Sequence, residues 1–79
     1  MKPVHLRTLR LRRRLTQEDL EQASGVAQNT ISKLETHRLK RPVFQTVVAL
    51  ARALDVDPMD LRFGPDPAAR RREKAEATQ

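Results

Sequence analysis

The chain has 79 residues, no Cys, no Trp, no Tyr, and a formal net charge of +6. This length allows one domain, and the lack of Cys excludes a disulfide framework or a zinc site with thiolate ligands. Two Phe cannot build a stacking surface for single-stranded nucleic acid, whereas the positive charge favours a polyanionic partner. A protein whose surface is merely rich in arginine would show the same charge.

The first predicted helix covers residues 4–13, because Leu6, Leu9 and Arg10 share one face at the spacing of an α-helix. The basic N-terminus resembles a mitochondrial transit peptide, but it continues without a break into the next helical pattern, and its removal would delete a core helix. No stretch reaches the roughly 20 apolar residues of a membrane span. The absence of the apolar region of a secretory signal leads us to expect a cytoplasmic protein.

A second and a third helix are predicted on either side of a glycine. The stretch from Thr16 to Asp19 resembles a capping box at a helix start, and Gly25 is expected to end that helix with a positive φ. The third helix covers residues 28–36. At about 100° per residue, its polar side chains fall within an arc of about 140°: Gln28, Asn29, Ser32, Lys33 and Thr36.

A basic loop at residues 37–41 leads into a fourth helix that begins near Pro42 and ends near residue 54. Asp57 and Pro58 are expected to open a short fifth helix, which Gly64 stops. Residues 65–79 lack large apolar side chains, so we predict a basic, disordered tail after a folded domain of residues 1–64. The predicted fold is all-α, with five helices and no strand.

Two short helices joined by a glycine turn are typical of the helix-turn-helix motif. In that motif the polar stripe of the second helix suits the major groove, because Gln and Asn pair with adenine, Lys reaches guanine and Ser accepts or donates. The stripe alone leaves an ordinary amphipathic surface helix as an equal alternative.

The order of motifs along residues 6–61 resembles the Xre/Cro family of lambda-repressor-like domains. The matching stretches are Leu6-xx-Leu9-Arg10-xx-Arg13, Leu15-Thr16-Gln17-Glu18-Asp19-Leu20, Ser24-Gly25-Val26, Thr30-Ile31-Ser32-Lys33-Leu34-Glu35, Lys40-Arg41-Pro42-x-Phe44 and Leu50-Ala51-x-Ala53-Leu54-x-Val56.

This resemblance implies a role for each group of polar residues. Base contacts are expected from Gln28, Asn29, Ser32 and Lys33. Phosphate contacts are expected from Arg10, Thr16, Gln17, Thr36, Arg38, Lys40 and Arg41. The resemblance also implies an ion pair between Arg10 and Glu35 that holds helix 1 against helix 3.

The chain departs from the family pattern at three places. Glu21 stands where the family usually has Ala, so its carboxylate is expected to reach water or an Arg. Ala27 stands where Ser or Thr usually caps helix 3, so that helix is expected to fray without DNA. Thr36 and His37 replace the usual glycine after Glu35.

Enzymatic and metal chemistry find little support. His5 and His37 lack neighbouring ligands for a metal, and the acids of helix 2 have no His or Lys partner for acid–base work. Two glycines do not make a phosphate-binding loop. We expect no enzyme and no cofactor.

The resemblance implies a sequence-specific regulator of transcription that binds double-stranded DNA. The expected mode is a repressor that occupies a promoter as a homodimer, on half-sites about 34–36 Å apart. The dimer surface is expected around Val56, Met59, Leu61 and Phe63, although these side chains could instead close the core. The alternative is an antitoxin that binds a partner toxin and regulates its own operon. Either protein would be encoded by a bacterium or a phage.

Overall fold

The computed structural model describes residues 3–39 and 41–67. In chain order the described elements are β1 (Val4–His5), α1 (Leu6–Arg12), α2 (Gln17–Ser24), α3 (Gln28–Glu35), α4 (Phe44–Leu54), a 3-10 turn (Pro58–Asp60) and β2 (Leu61–Arg62). None of the helices in these ranges is long and apolar enough to cross a membrane.

The described part has four α-helices, so the prediction of five helices was wrong for its last element. Asp57 does act as a cap, and its Oδ1 accepts a hydrogen bond from the backbone N–H of Met59 at 2.8 Å. The helical turn stops after Asp60, however, because Leu61 adopts an extended conformation with ψ of 129°. Leu61 is then buried in the core.

A pair of two-residue strands corrects the prediction of an all-α fold. β1 and β2 run parallel, with Val4 opposite Leu61 and His5 opposite Arg62. Helix α1 therefore begins at Leu6 rather than at residue 4. This pairing joins the two ends of the domain.

Each helix contributes large side chains to one hydrophobic core. The fully buried ones are Leu6, Leu20, Ile31, Leu34, Leu50 and Leu54. Burial of such a side chain contributes about 1.5–3 kcal/mol, so the core is the main force that holds the short helices together.

Local signals around α2 are confirmed. Thr16 Oγ1 accepts from the Asp19 N–H at 3.0 Å, and the Thr16 N–H donates to Asp19 Oδ2 at 2.9 Å. The two bonds form a complete capping box. Gly25 ends the helix with φ of +78°, and its N–H donates to the Glu21 carbonyl at 2.8 Å.

The segment after Gly64 returns to α1. Asp66 Oδ2 accepts a hydrogen bond of 2.7 Å from Thr8 Oγ1, and His5 Nδ1 lies 3.9 Å from Asp66 Oδ1. The boundary at residue 64 stays a prediction, but residues 65–67 lie on the domain. The rest of the predicted tail, residues 68–79, is outside the described residues.

Candidate nucleic-acid interface

The short turn Gly25–Ala27 joins helix α2 to helix α3. Val26 in the turn is buried, and so are Ile31 and Leu34 on the inner face of α3. These contacts hold α3 across α2 and leave its opposite face at the surface. The helix that the sequence predicts to read DNA is therefore fixed by apolar packing along one side only.

The outer face of α3 carries the four predicted base-contacting residues. Gln28, Asn29 and Lys33 are exposed, and Ser32 is half-buried. None of these four side chains hydrogen-bonds to another described residue. Their donors and acceptors are thus available to a ligand laid along the helix.

An open groove connects this face with the start of α2. It is lined by Arg10, Leu11, Leu15, Thr16, Gln17, Glu18 and Gln28. Two predicted phosphate-contacting residues, Thr16 and Gln17, therefore lie beside a predicted base-contacting residue, Gln28. The Thr16 hydroxyl accepts from Asp19 and keeps its own O–H for donation.

The capping box at this groove also perturbs a carboxyl group. The backbone hydrogen bond from Thr16, followed by the side-chain bond with Thr16, holds the pKa of Asp19 below its ordinary value of 3.8. Hydrogen bonds to the charged form stabilise that form. The ionised form of Asp19 is therefore favoured, and in this form its carboxylate accepts the Thr16 N–H at the start of α2.

Arg10 and Glu35 form a buried ion pair between α1 and α3. Arg10 Nε donates to Glu35 Oε2 at 2.7 Å, and Arg10 Nη2 donates to Glu35 Oε1 at 3.0 Å. Arg10 Nη1 donates to the Leu15 carbonyl at 2.7 Å. The bidentate geometry is the strong form of a charge-assisted hydrogen bond.

The same geometry engages Arg10 inside the domain, and its predicted phosphate contact stays a prediction. All three guanidinium nitrogens already donate inside the domain, and the residue is only 7% exposed. Gln17 belongs to the same network, since its Nε2 donates to Glu35 Oε1 at 3.2 Å. Gln17 is half-buried at the edge of the groove and keeps a second amide N–H for another partner.

The loop after α3 presents basic side chains at the surface. Thr36 Oγ1 donates to the Ser32 carbonyl at 2.9 Å, and the Arg38 N–H donates to the Lys33 carbonyl at 2.8 Å. Thr36, Arg38 and Arg41 are exposed. Lys40, which was also predicted to contact phosphate, lies outside the described residues.

His37 has a backbone conformation that is unusual for a residue with a side chain. Its φ is +66°, in the left-handed region that favours glycine. The chain reaches this point again at Gly64, whose N–H donates to the Leu34 carbonyl at 2.8 Å. A Cβ on Gly64 would lie 3.0 Å from the His37 ring. The end of α3 is thus closed by the segment that follows β2.

Glu21 has a partner that sequence reasoning missed. Its Oε2 accepts a hydrogen bond of 2.9 Å from the backbone N–H of Gln28, the first residue of α3. The sequence expectation named water or an Arg for this carboxylate and did not include a backbone N–H. Ala27 supplies no side-chain cap, as expected, but the helix start has an acceptor from α2. A sequence signal existed, since the acid stands seven residues before an uncapped helix start, across a glycine turn.

A family model described as a helix-turn-helix domain matches residues 4–63. Comparisons with curated proteins and with solved structures gave no match. The matched range covers most of the chain. It contains every element from β1 to β2, and therefore both helices of the motif, α2 and α3. The chain therefore belongs to the helix-turn-helix domain family, of the Xre/Cro-like type.

Proposed function

We propose that the protein is a sequence-specific regulator of transcription that binds double-stranded DNA and represses by occupying a promoter. The helix-turn-helix domain indicates a DNA-binding regulator. The observation that supports reading of a specific sequence is the outer face of α3, where the side chains of Gln28, Asn29 and Lys33 are exposed and hydrogen-bond to no other described residue.

In this proposal α3 lies in the major groove and the surrounding residues hold the phosphates. Amide, hydroxyl and ammonium groups recognise the edges of bases there: Gln28, Asn29, Ser32 and Lys33. Phosphate contacts position the protein without reading sequence: Thr16, Gln17, Thr36, Arg38, Lys40 and Arg41. Arg10 is buried within the domain, where its ion pair with Glu35 holds α3 in place.

Substitutions on the two kinds of contact test this division. Lys33→Ala and Asn29→Ala should each change the preferred base at one position, at a cost of about 1–3 kcal/mol. Arg41→Ala should weaken binding to every sequence and reduce the salt slope by about one unit. Affinity is measured by fluorescence anisotropy on selected and random duplexes at several salt concentrations.

Arg52→Ala is the matched control for charge, because Arg52 is an exposed arginine on α4 outside the proposed contacts. It should leave both base preference and salt slope nearly unchanged. If the three contact variants lower affinity equally for selected and random DNA while Arg52→Ala does not, α3 does not read bases and the proposal is wrong.

We further propose that the protein binds DNA as a homodimer, on two half-sites about one helical turn apart. Leu61 is unavailable for the dimer surface, since it is 4% exposed in the core, and Val56 and Phe63 pack partly against that core. Met59 is 75% exposed and remains a candidate contact. Analytical ultracentrifugation on duplexes with one or two half-sites measures the stoichiometry directly.

An antitoxin is the second candidate, and exposed apolar side chains on α4 favour it. Val43 and Phe44, at the start of α4, are each 69% exposed. Such residues mark surfaces for protein partners when they cluster. An antitoxin would co-purify with the product of an adjacent gene through these residues, and Phe44→Ser would abolish that binding. A stand-alone repressor would recover without a partner.

A further inference from the structure

We propose that Glu21 positions the recognition helix by capping it from the preceding helix, and that it thereby aims Gln28 at its base pair. Glu21 lies in the second half of α2 and is half-buried. Its carboxylate accepts the backbone N–H of Gln28 at 2.9 Å. This inference rests on the proposed function, because it assigns Glu21 a part in base reading.

Helix α3 lacks the local groups that usually begin a helix. The first N–H groups of any α-helix have no partner within it. Ala27 at the N-cap position has no side-chain acceptor, and the first turn of α3 contains no acidic residue. Glu21 supplies both missing elements, since it accepts one of these N–H groups and places a negative charge at the positive end of the helix dipole.

The backbone of the same residue holds the other side of the turn. The Glu21 carbonyl accepts the N–H of Gly25 at 2.8 Å and closes the end of α2. The Glu21 carboxylate then fixes the start of α3. One residue therefore sets both helix ends around the turn, and the turn determines the direction in which α3 leaves α2.

Gln28 and Lys33 should depend on Glu21 to different degrees. Gln28 is the residue whose own N–H is held, so its side chain moves with the first turn of the helix. Lys33 lies more than a turn further along, between the buried Leu34 and the half-buried Ser32. Loss of Glu21 should loosen the first contact and leave the second in place.

The experiment compares the full chain with Glu21→Ala, Glu21→Gln, Gln28→Ala and the double variant Glu21→Ala/Gln28→Ala. Gln22→Ala is the control, because Gln22 is an exposed neighbour on the same helix. Base preference is measured by selection from random duplex DNA, and exchange of the Gln28 amide proton is measured by NMR. Thermal melting of each variant separates local effects from global ones.

We expect Glu21→Ala to speed exchange of the Gln28 amide about fivefold, the ratio that corresponds to a typical helix cap. Preference at the base pair read by Gln28 should fall by a similar factor, while preference at the pair read by Lys33 stays unchanged. In the Gln28→Ala background the change at Glu21 should have no further effect on specificity. Glu21→Gln keeps an acceptor oxygen and should show a smaller loss, and it carries the test if Glu21→Ala does not fold.

Unchanged exchange of the Gln28 amide together with unchanged base preference in both Glu21 variants would overturn the inference. An equal loss of preference at every base pair would also overturn it, since that result indicates a general structural role. If the unsubstituted protein selects no DNA site, the proposed function fails, and the exchange rate still decides whether Glu21 caps α3.

Discussion

Glu35 is the residue on which α1, α2 and α3 converge. Its carboxylate accepts two hydrogen bonds from Arg10 and one from Gln17, and the residue is 4% exposed. Among the described residues, no buried side-chain nitrogen or oxygen lacks a partner. A polar network inside a small core is stable only when it is completed in this way.

Removal of Glu35 should therefore be costly. We expect Glu35→Ala to lower the free energy of unfolding by about 3–5 kcal/mol, because it leaves the Arg10 guanidinium buried without its anion. That is a large share of the stability of a small domain. Urea denaturation followed by circular dichroism measures it, with the exposed Glu18→Ala as control. A free energy of unfolding equal to that of the unsubstituted protein would show that the pair of Arg10 and Glu35 contributes little to stability.

Asp19 should give the domain a small dependence on acid. Since its folded pKa is lowered from 3.8 by the capping box, its contribution to stability is present above the unfolded pKa. It is lost as the pH falls through the folded pKa. We expect the stability difference between the unsubstituted protein and Asp19→Asn to vanish between about pH 5 and pH 2. A difference that stays constant over this range would contradict the assignment.

Gly64 and Gly25 offer a matched pair of substitutions at positive φ. Both have the left-handed conformation, with φ of +89° and +78°. A Cβ at Gly25 would meet nothing within 4 Å, whereas a Cβ at Gly64 would lie 3.0 Å from the His37 ring. Gly25→Ala should cost about 1–2 kcal/mol for the backbone conformation alone, and Gly64→Ala about 1–3 kcal/mol more for the crowding.

The contact with His37 explains the extra cost at Gly64, and a second substitution tests this explanation. His37→Ala in the Gly64→Ala background should recover part of the stability, because it removes the ring from the crowded space. Thermal unfolding of the single and double variants measures the recovery. If Gly64→Ala and Gly25→Ala cost the same, the ring does not restrict this site.

At the scale of the elements, the pairing of β1 with β2 connects the first and last described strands of the domain. β1 and β2 pair in parallel, and Thr8 on α1 donates to Asp66 just beyond β2. This arrangement holds α1, which carries Arg10, against the rest of the domain. The segment after Gly64 also bonds to the end of α3 through the Leu34 carbonyl. The C-terminal segment thus supports two of the helices that form the candidate interface.

Thr8→Val is the conservative test of this junction. It keeps the shape of the side chain and removes one hydrogen bond, so we expect a loss of about 0.5–1.5 kcal/mol. Urea denaturation measures the loss, and Thr46→Val on α4 serves as the control for the same exchange of side chains. No loss at Thr8 would mean that the junction with Asp66 does not hold the domain together.

At the scale of the whole molecule, the sequence predicted those structural features whose residues lie close together along the chain. The capping box at Thr16 and the glycine turn at Gly25 lie within a few residues, and both were predicted. β1 and β2 are two residues each and pair across nearly the whole domain. So short a strand has no periodicity to detect, and its partner is set by tertiary packing.

In the candidate site, too, features set by nearby residues were predicted and features set by tertiary packing were not. The polar face of α3 follows from helical periodicity, and its predicted residues lie at the surface except for the half-buried Ser32. The resemblance implied an ion pair and a phosphate contact for Arg10; the ion pair with Glu35 is present, and the phosphate contact stays a prediction. The bond from Glu21 to Gln28 crosses a turn whose geometry depends on the packing of Val26.

The most direct test of a DNA-reading domain is selection from random duplex DNA with the full chain at about 150 mM salt, where weak phosphate contacts are largely suppressed. We predict enrichment of one site with two-fold symmetry and half-sites about one helical turn apart. Failure to enrich any sequence, with binding that disappears as salt rises, would contradict base reading by α3.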